Sequence, residues 1–269
     1  MVSEPMTPAT TRSQPAAKSP NQGRMKKRLT MAFAIRGAML SLVALGAPLE
    51  ESEKLSFFRQ RFDESIRRHQ QSPQNVDLTL EYLNAAFEWA ELATDKKQRA
   101  AIAQPAIEAS RSLLRSSPRK GEANYYLALH LGQLARSKWL GALRIVPEME
   151  RCLQAAREKS PHLNYAGPDR ALSRLYFEAP GWPTSIGNSS KALHHAKAAL
   201  AIAPRYPGNH LNYLQILVKQ DMLNEARNHF DTAERALDQA GQEFNHPEWR
   251  FSWEEWNGLW KRLKTQIPR

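Results

Sequence analysis

Apolar residues recur at helical spacing along most of the chain from residue 52 onward. Leu55, Phe58 and Phe62 are three or four positions apart, which is the spacing of one helix face. Similar stripes follow, Gly is scarce, and runs rich in strand-forming residues are absent. We therefore expect an all-α chain. The further predicted helices cover residues 78–92, 106–114, 122–136, 147–159, 169–176, 191–202, 209–219 and 223–240.

Prolines divide this pattern at intervals of 45, 43, 43 and 43 residues. Proline lacks an N–H and clashes inside a helix, yet it fits a first turn, so it suits the junctions between helices. Such a period is typical of stacked helix hairpins that share a continuous core. We expect a right-handed α-solenoid of about four hairpins over residues 52–269, with an irregular helical bundle as the alternative. The spaced residues are Pro73, Pro118, Pro161, Pro204 and Pro247.

Two predicted helices, 191–204 and 223–237, resemble the second helix of tetratricopeptide repeats (TPRs). That family places small residues where two helices cross closely and ends the helix on proline. The period here is longer than the usual TPR period because two hairpins carry inserted residues. The matching small residues and proline are Ala192, Ala196, Ala199, Pro204, Ala226, Ala233 and Ala236.

A more specific resemblance lies within residues 118–237, somewhat under half of the chain. The segments GPDRALSRLY (167–176), APGWP (179–183) and SIGN (185–188) are similar to the T component associated with tripartite ATP-independent periplasmic (TRAP) transporters. The resemblance implies a TPR-like protein of the bacterial periplasm that self-associates and docks a periplasmic substrate-binding protein. It also implies a role in bringing a small hydrophobic ligand to the membrane.

The first 48 residues differ from the repeat region. Residues 1–24 are rich in Pro, Ser, Thr and Ala, and we expect a disordered tail. Residues 25–48 join a basic cluster to an apolar stretch and resemble a signal peptide, although Arg36 interrupts the apolar run. A cleaved signal peptide, an uncleaved membrane-proximal anchor and an amphipathic helix packed on the repeats remain open. We expect an exported protein that is periplasmic or membrane-associated, with membrane contact only through this segment if it is uncleaved.

Composition narrows the function classes. The net charge is +11, but six of these charges lie in the first 36 residues. The rest of the chain shows no basic stripe of the kind that binds nucleic acid, so we do not expect a nucleic-acid partner. The sole cysteine, Cys152, lies in a predicted helix. Because no cysteine comes directly after the apolar N-terminal stretch, the sequence has no lipoprotein attachment site there. Motifs of hydrolases, metalloproteases and phosphate loops are missing, and the eight histidines lack metal-ligand spacing. We expect no catalysis, cofactor or metal.

Candidate contact residues on the first helices of the second and fourth hairpins form one group. In repeat arrays these helices line the concave surface, where polar and aromatic residues contact peptides. The alternative is ordinary packing with the polar tips outward. The group comprises Asn124, Tyr125, His130, Asn209, His210 and Tyr213.

A second group surrounds the insert at residues 178–188. Arg170 and Arg174 are one helical turn apart and could bind an anion or an acidic partner. Alternatively, Arg170 could hold the turn at residues 167–169 or the following loop by hydrogen bonds to carbonyls. Trp182 could contact a ligand or partner, or fold back into the core. Together with Tyr176 it could line an apolar pocket.

The C-terminal segment places four tryptophans on one helical stripe, which predicts a capping helix or a partner or oligomer surface. The leading function is a non-enzymatic interaction scaffold for a protein or peptide partner. The alternative is a periplasmic carrier of a small hydrophobic ligand. The stripe comprises Trp249, Trp253, Trp256 and Trp260.

Overall fold

The computed structural model describes residues 47–117, 119–138 and 141–267, which belong to one compact unit. The predicted disordered tail, and the predicted signal-like segment as far as residue 46, lie outside the described residues. The described part contains ten α-helices and two short 3-10 turns, at Ala142–Arg144 and Pro247–Trp249. The helices are α1 (Ala47–Gln71), α2 (Val76–Glu91), α3 (Lys96–Ser116), α4 (Lys120–Ser137), α5 (Val146–Lys159), α6 (Gly167–Glu178), α7 (Ser189–Ile202), α8 (Pro207–Lys219), α9 (Leu223–Glu243) and α10 (Arg250–Gln266).

The helices pack as successive hairpins. Helices α2 and α3, α4 and α5, α6 and α7, and α8 and α9 form the pairs, and the first helix of one hairpin also touches the first helix of a neighbour. Stacked in this way, each apolar stripe is covered by the next unit. The predicted all-α solenoid of about four hairpins is confirmed.

The spaced prolines mark the turns between hairpins. Pro73 lies between α1 and α2, Pro161 between α5 and α6, Pro204 between α7 and α8, and Pro247 in the 3-10 turn before α10. Pro118 lies outside the described residues. Because each of the four follows the end of a helix and precedes the next one, the proline period is the hairpin period.

Side-chain caps fix where several helices begin. The Asn75 side chain accepts from the backbone N–H of Leu78 at 3.1 Å at the start of α2. Asp95 and Asn188 begin α3 and α7 in the same way, accepting at 2.8 Å and 2.9 Å. Each cap satisfies a backbone donor that the helix itself leaves unpaired, which stabilises the helix start.

Small residues allow the helices to approach closely. Ala192, Ala196 and Ala233 have no exposed surface. A Cβ at Gly121 would lie 2.1 Å from the Ser160 side-chain oxygen, so the contact between the start of α4 and the end of α5 needs glycine. This is the close packing that the TPR resemblance implies.

Helix α10 covers the last hairpin. Trp260 lies 4.6 Å from Phe230 of α9, and Trp256 lies 5.4 Å from Tyr206, measured between ring centroids. Both tryptophans are buried, whereas Trp249 and Trp253 are half-buried. The predicted capping helix is therefore present.

Candidate docking loop

The ten residues between α6 and α7 form a loop closed at its base by backbone hydrogen bonds. The N–H of Gly187 donates to the Pro180 carbonyl at 2.8 Å, and the N–H of Asn188 donates to the Tyr176 carbonyl at 2.8 Å. Near the tip, the N–H groups of Thr184 and Ser185 both donate to the Gly181 carbonyl, at 3.1 and 3.2 Å. These bonds fix the backbone of the loop at its base and near its tip.

Gly187 is required by this closure. A Cβ at this position would lie 2.0 Å from the Ala179 carbonyl oxygen and 2.7 Å from that of Pro180. At Gly181 a Cβ would meet its nearest atom, the Gly187 carbonyl oxygen, at 3.7 Å, an ordinary contact. The base of the loop therefore excludes a side chain at residue 187 but admits one at residue 181.

The loop turns one apolar side chain inward and one outward. Ile186 packs against the core cluster formed by the first hairpins. Trp182 is 89% exposed, against 37% for the two other exposed large apolar residues of the described chain, Leu143 and Tyr165. Between Ala179 and Asn188 the sequence has no charged residue. The loop therefore presents a single uncharged aromatic side chain to solvent on a fixed backbone.

Tyr176 lies beneath this loop and is used in packing. It is 2% exposed, its hydroxyl donates to Glu150 Oε1 at 2.5 Å, and its ring stacks on His195 at 5.5 Å. Burial raises the pKa of Tyr176 to about 12, and the hydrogen bond to Glu150 adds to this. Tyr176 thus joins α5, α6 and α7.

The side chain of Asp169 makes a second set of contacts among α5, α6 and α7. Its carboxylate has no exposed surface, and its Oδ1 accepts from Arg157 Nε at 2.8 Å and from His195 Nδ1 at 2.7 Å. A buried carboxylate needs such charged or hydrogen-bonded partners. These contacts hold the α5 and α7 helices against α6.

Arg170 anchors the turn that precedes α6. Its guanidinium donates to the carbonyls of Asn164 at 3.0 Å and Tyr165 at 2.8 Å. Asn164, Tyr165 and Ala166 all have positive φ values, 47°, 56° and 62°, which are costly for residues other than glycine. Arg170 therefore supports the strained turn at residues 164–166, which lies before the turn or loop that the sequence suggested.

Six of the predicted site residues lie in the packed interior. His130 has no exposed surface, and its Nε2 donates to the Leu83 carbonyl at 3.0 Å; burial lowers its pKa to about 4. The Asn209 amide donates to the carbonyls of Ala199 and Ala203, both at 3.0 Å. His130 and Asn209 are thus unavailable to a partner in this structure. The six are Tyr125, His130, Tyr176, Asn209, His210 and Tyr213.

Three of the predicted residues keep exposed surface besides Arg170. Asn124 is half-buried and donates to the Lys120 carbonyl of its own helix at 2.7 Å. Arg174 pairs with Glu178 at 3.5 Å. The third is Trp182 of the loop. Sequence reasoning had no signal for Ile186, which packs against the core.

Two clefts lie elsewhere in the described part of the chain. One of about 780 Å³ lies between the turn after α7 and α9, and is lined by Arg205, Thr232 and Arg235 among others. The other, of about 460 Å³, lies between α3 and α4. Neither is lined by Trp182 or Tyr176, whereas the predicted site residue His210 lines the first.

The described residues offer neither a cluster of metal ligands nor a membrane-spanning helix. Within 47–117, 119–138 and 141–267, no group of three or more His, Cys, Asp or Glu side chains is placed to hold a metal ion. In that part of the chain no helix is long and apolar enough to cross a membrane. Cys152 is buried, and burial raises the pKa of its thiol to about 11.

Comparison with known proteins gives a fold likeness. No family model and no curated protein matches the chain. A crystal structure of a thermophilic TPR protein from Thermus thermophilus is similar, with a TM-score of 0.51 and 18% sequence identity over 81% of this chain and 98% of that one. At this identity the likeness shows the fold alone. The TPR-like helical repeat fold is therefore confirmed.

Proposed function

We propose that this protein is a non-enzymatic, TPR-like scaffold of the bacterial cell envelope, and that it docks a protein partner through the loop at residues 179–188. The observation that carries the proposal is the 89% exposure of Trp182 on a backbone fixed by hydrogen bonds. Tryptophan is enriched among the few interface residues that dominate binding energy.

The energetics favour docking at this side chain. A tryptophan buries on the order of 200 Å² in an interface, which at about 25 cal/mol per Å² is a gross gain of about 5 kcal/mol. Association must also offset the ordering of flexible segments. Because the hydrogen bonds of Gly187 and Asn188 already order the loop, little of the gain at Trp182 is lost to loop ordering.

The envelope location and the partner class have separate support. The location rests on the signal-like sequence of residues 25–48. The resemblance of residues 167–188 to the TRAP transporter T component suggests a periplasmic substrate-binding protein as the partner, with self-association as a further property. The buried Cys152, with its raised pKa, is a poor nucleophile, in keeping with a scaffold.

Site-specific crosslinking tests the proposal. A photoreactive phenylalanine analogue replaces Trp182 in the full chain expressed in its native cells, and the same analogue replaces the exposed Asn257 of α10 as the control. We expect one dominant envelope protein crosslinked from position 182 and not from position 257. Equal labelling from the two positions, or no adduct from position 182, would contradict docking through this loop.

A further inference from the structure

We propose that the cleft between the turn after α7 and helix α9 binds a phosphate monoester, which lies between Arg205 and Arg235. The cleft has a volume of about 780 Å³, which is within the range of small-molecule sites. It is built on the last hairpin and is not lined by Trp182, so this binding is independent of docking through the loop at residues 179–188.

One face of α9 forms a wall of the cleft. Thr232, Arg235 and Gln239 line it and follow one another at three or four positions, the spacing of one helix face. Ala236 and Ala240 line it between them and are buried, at 7% and 2% exposure. Because the side chain of alanine is a single methyl group, α9 leaves open space between its longer polar side chains.

The other wall includes Arg205 and the buried ring of His210. The Nε2 of His210 lies 2.6 Å from the Pro204 carbonyl oxygen, which can only accept, so this nitrogen carries a proton and donates. Its Nδ1 lies 3.0 Å from His229 Nε2, and both ring nitrogens are therefore used within the protein. Burial lowers the pKa of His210, so the ring is neutral at pH 7. The charge of this wall is that of Arg205.

Both arginines of the cleft keep donors for a ligand. Arg235 is exposed, and its guanidinium donates only to the Asp231 carbonyl at 3.2 Å and the Thr232 hydroxyl at 3.5 Å, with no ion pair to a carboxylate in the described part of the chain. Arg205 is 83% exposed and lies 3.7 Å from Glu243 Oε2, and such a solvated pair is weak. Two guanidinium groups are therefore available to an anion at this cleft.

The donors of the cleft suit phosphate better than carboxylate. Besides the two arginines, the side-chain amides of Gln239 and Gln242 line it, and Glu243 alone is acidic among the described residues that line it; Asp231 and Asp238 of α9 do not. A carboxylate has a single charge and two oxygens, whereas a phosphate monoester has three acceptor oxygens and a charge of about −2 at pH 7. Guanidinium groups bind phosphate through paired N–H donors. Two arginines therefore match one phosphate monoester in charge and in hydrogen bonding.

Two sources of a phosphate monoester share this chemistry. One is a soluble molecule such as glycerol 3-phosphate. The other is the headgroup of phosphatidic acid, in which the same glycerol phosphate is held at a bilayer surface. Because Arg205 and Arg235 are both exposed, either source reaches them without any helix moving. A free probe and a vesicle probe with this one headgroup therefore separate the two sources.

Titration calorimetry of the full chain with glycerol 3-phosphate, and flotation with phosphatidylcholine vesicles with and without phosphatidic acid, test the proposal. We expect at least one of the two phosphate probes to bind, with a Kd below about 1 mM for the free probe, whereas glycerol does not bind. Arg205→Gln and Arg235→Gln should each weaken binding about tenfold, because each removes charged hydrogen bonds. Arg67→Gln is the matched control and should bind as the wild type does, since the exposed Arg67 also donates from Nε to the carbonyl of an aspartate four residues earlier, at 3.1 Å.

The outcomes separate a site in this cleft from general attraction of anions. Binding of the free probe that depends on Arg205 and Arg235 supports a soluble ligand, and vesicle binding alone with the same dependence supports a lipid headgroup. Absence of binding to both probes overturns the proposal, and so does equal weakening in Arg235→Gln and Arg67→Gln. Because these side chains are exposed, the variants should keep the wild-type Tm within about 2 °C. Docking at Trp182 is read by crosslinking at residue 182, so the two proposals fail separately.

Discussion

Replacing Gly187 by alanine should destabilise the loop that presents Trp182. The added Cβ would lie 2.0 Å from the Ala179 carbonyl oxygen. An ordinary contact begins near 3.4 Å, so the backbone must move by roughly 1 Å or more to restore ordinary contact distances. That shift disturbs two hydrogen bonds at the loop base, those of the Gly187 and Asn188 N–H groups, each 2.8 Å long.

The cost can be estimated from these contacts. Each disturbed hydrogen bond contributes about 1 kcal/mol, and overpacking typically costs between about 1 and 3 kcal/mol. Part of the strain is relieved as the loop moves, so we expect a loss of about 2 kcal/mol in the free energy of unfolding. For a repeat domain of this size, this lowers Tm by about 4 to 8 °C.

Thermal unfolding followed by circular dichroism measures the effect, with Gly181→Ala as the matched control in the same loop. The control Cβ meets its nearest atom at 3.7 Å, so its Tm should stay within about 2 °C of the wild type. An unchanged Tm in Gly187→Ala, or equal losses in the two variants, would refute the claim that the loop base is fixed by this close approach.

Three further predictions concern the buried ionisable side chains of Asp169, His130 and Cys152. Asp169→Ala leaves the partners of a fully buried carboxylate unpaired and should cost about 3 kcal/mol in urea unfolding, with Asp169→Asn costing about half as much. The pKa of His130, about 4 when folded, is below its unfolded value, so its contribution is complete above about pH 6.5 and falls as the pH drops toward 4. Between about pH 7.5 and 5 the wild type should lose about 2 kcal/mol more than His130→Gln, measured as ΔG of unfolding. Cys152, with a pKa of about 11, should react with a disulfide reagent at about pH 8 at least about 100-fold more slowly than free cysteine and reach the free rate only after unfolding.

The fold could be predicted because local signals agreed with one another. The stripe of Leu55, Phe58 and Phe62 indicates one face of a helix. The regularly spaced prolines indicate where successive helices end. In the structure Pro161 and Pro204 lie in turns between hairpins. The contact between α1 and α10, where Lys54 Nζ pairs with Glu254 Oε2 at 3.2 Å, could not be predicted, since it joins residues far apart in sequence.

The direction of Trp182 could not be predicted either. A loop with Pro180, Gly181 and Pro183 can turn its tryptophan inward or outward with the same composition. Two features accompany the outward direction in the structure: Ile186 packs against the core cluster, and the Gly187 N–H donates to the Pro180 carbonyl. Both depend on the surrounding helices, which the sequence pattern does not locate.

The buried polar residues show a second limit of sequence reasoning. Polar and aromatic residues on first helices suggest a contact surface, yet Asn209 and His130 lie inside the array. There they satisfy backbone carbonyls of neighbouring helices at about 3.0 Å. A single sequence does not distinguish a polar side chain that hydrogen-bonds inside the core from one that contacts a partner at the surface.

The affinity of Trp182→Ala for the partner crosslinked at residue 182 tests the central claim most directly. Because the side chain is 89% exposed, the variant should keep the wild-type Tm within about 2 °C. Loss of an interface anchor worth at least about 2 kcal/mol should weaken binding by about 30-fold or more, whereas the loop control Thr184→Ala should bind within about threefold of the wild type. A Trp182→Ala variant that binds as tightly as Thr184→Ala would contradict docking through this loop.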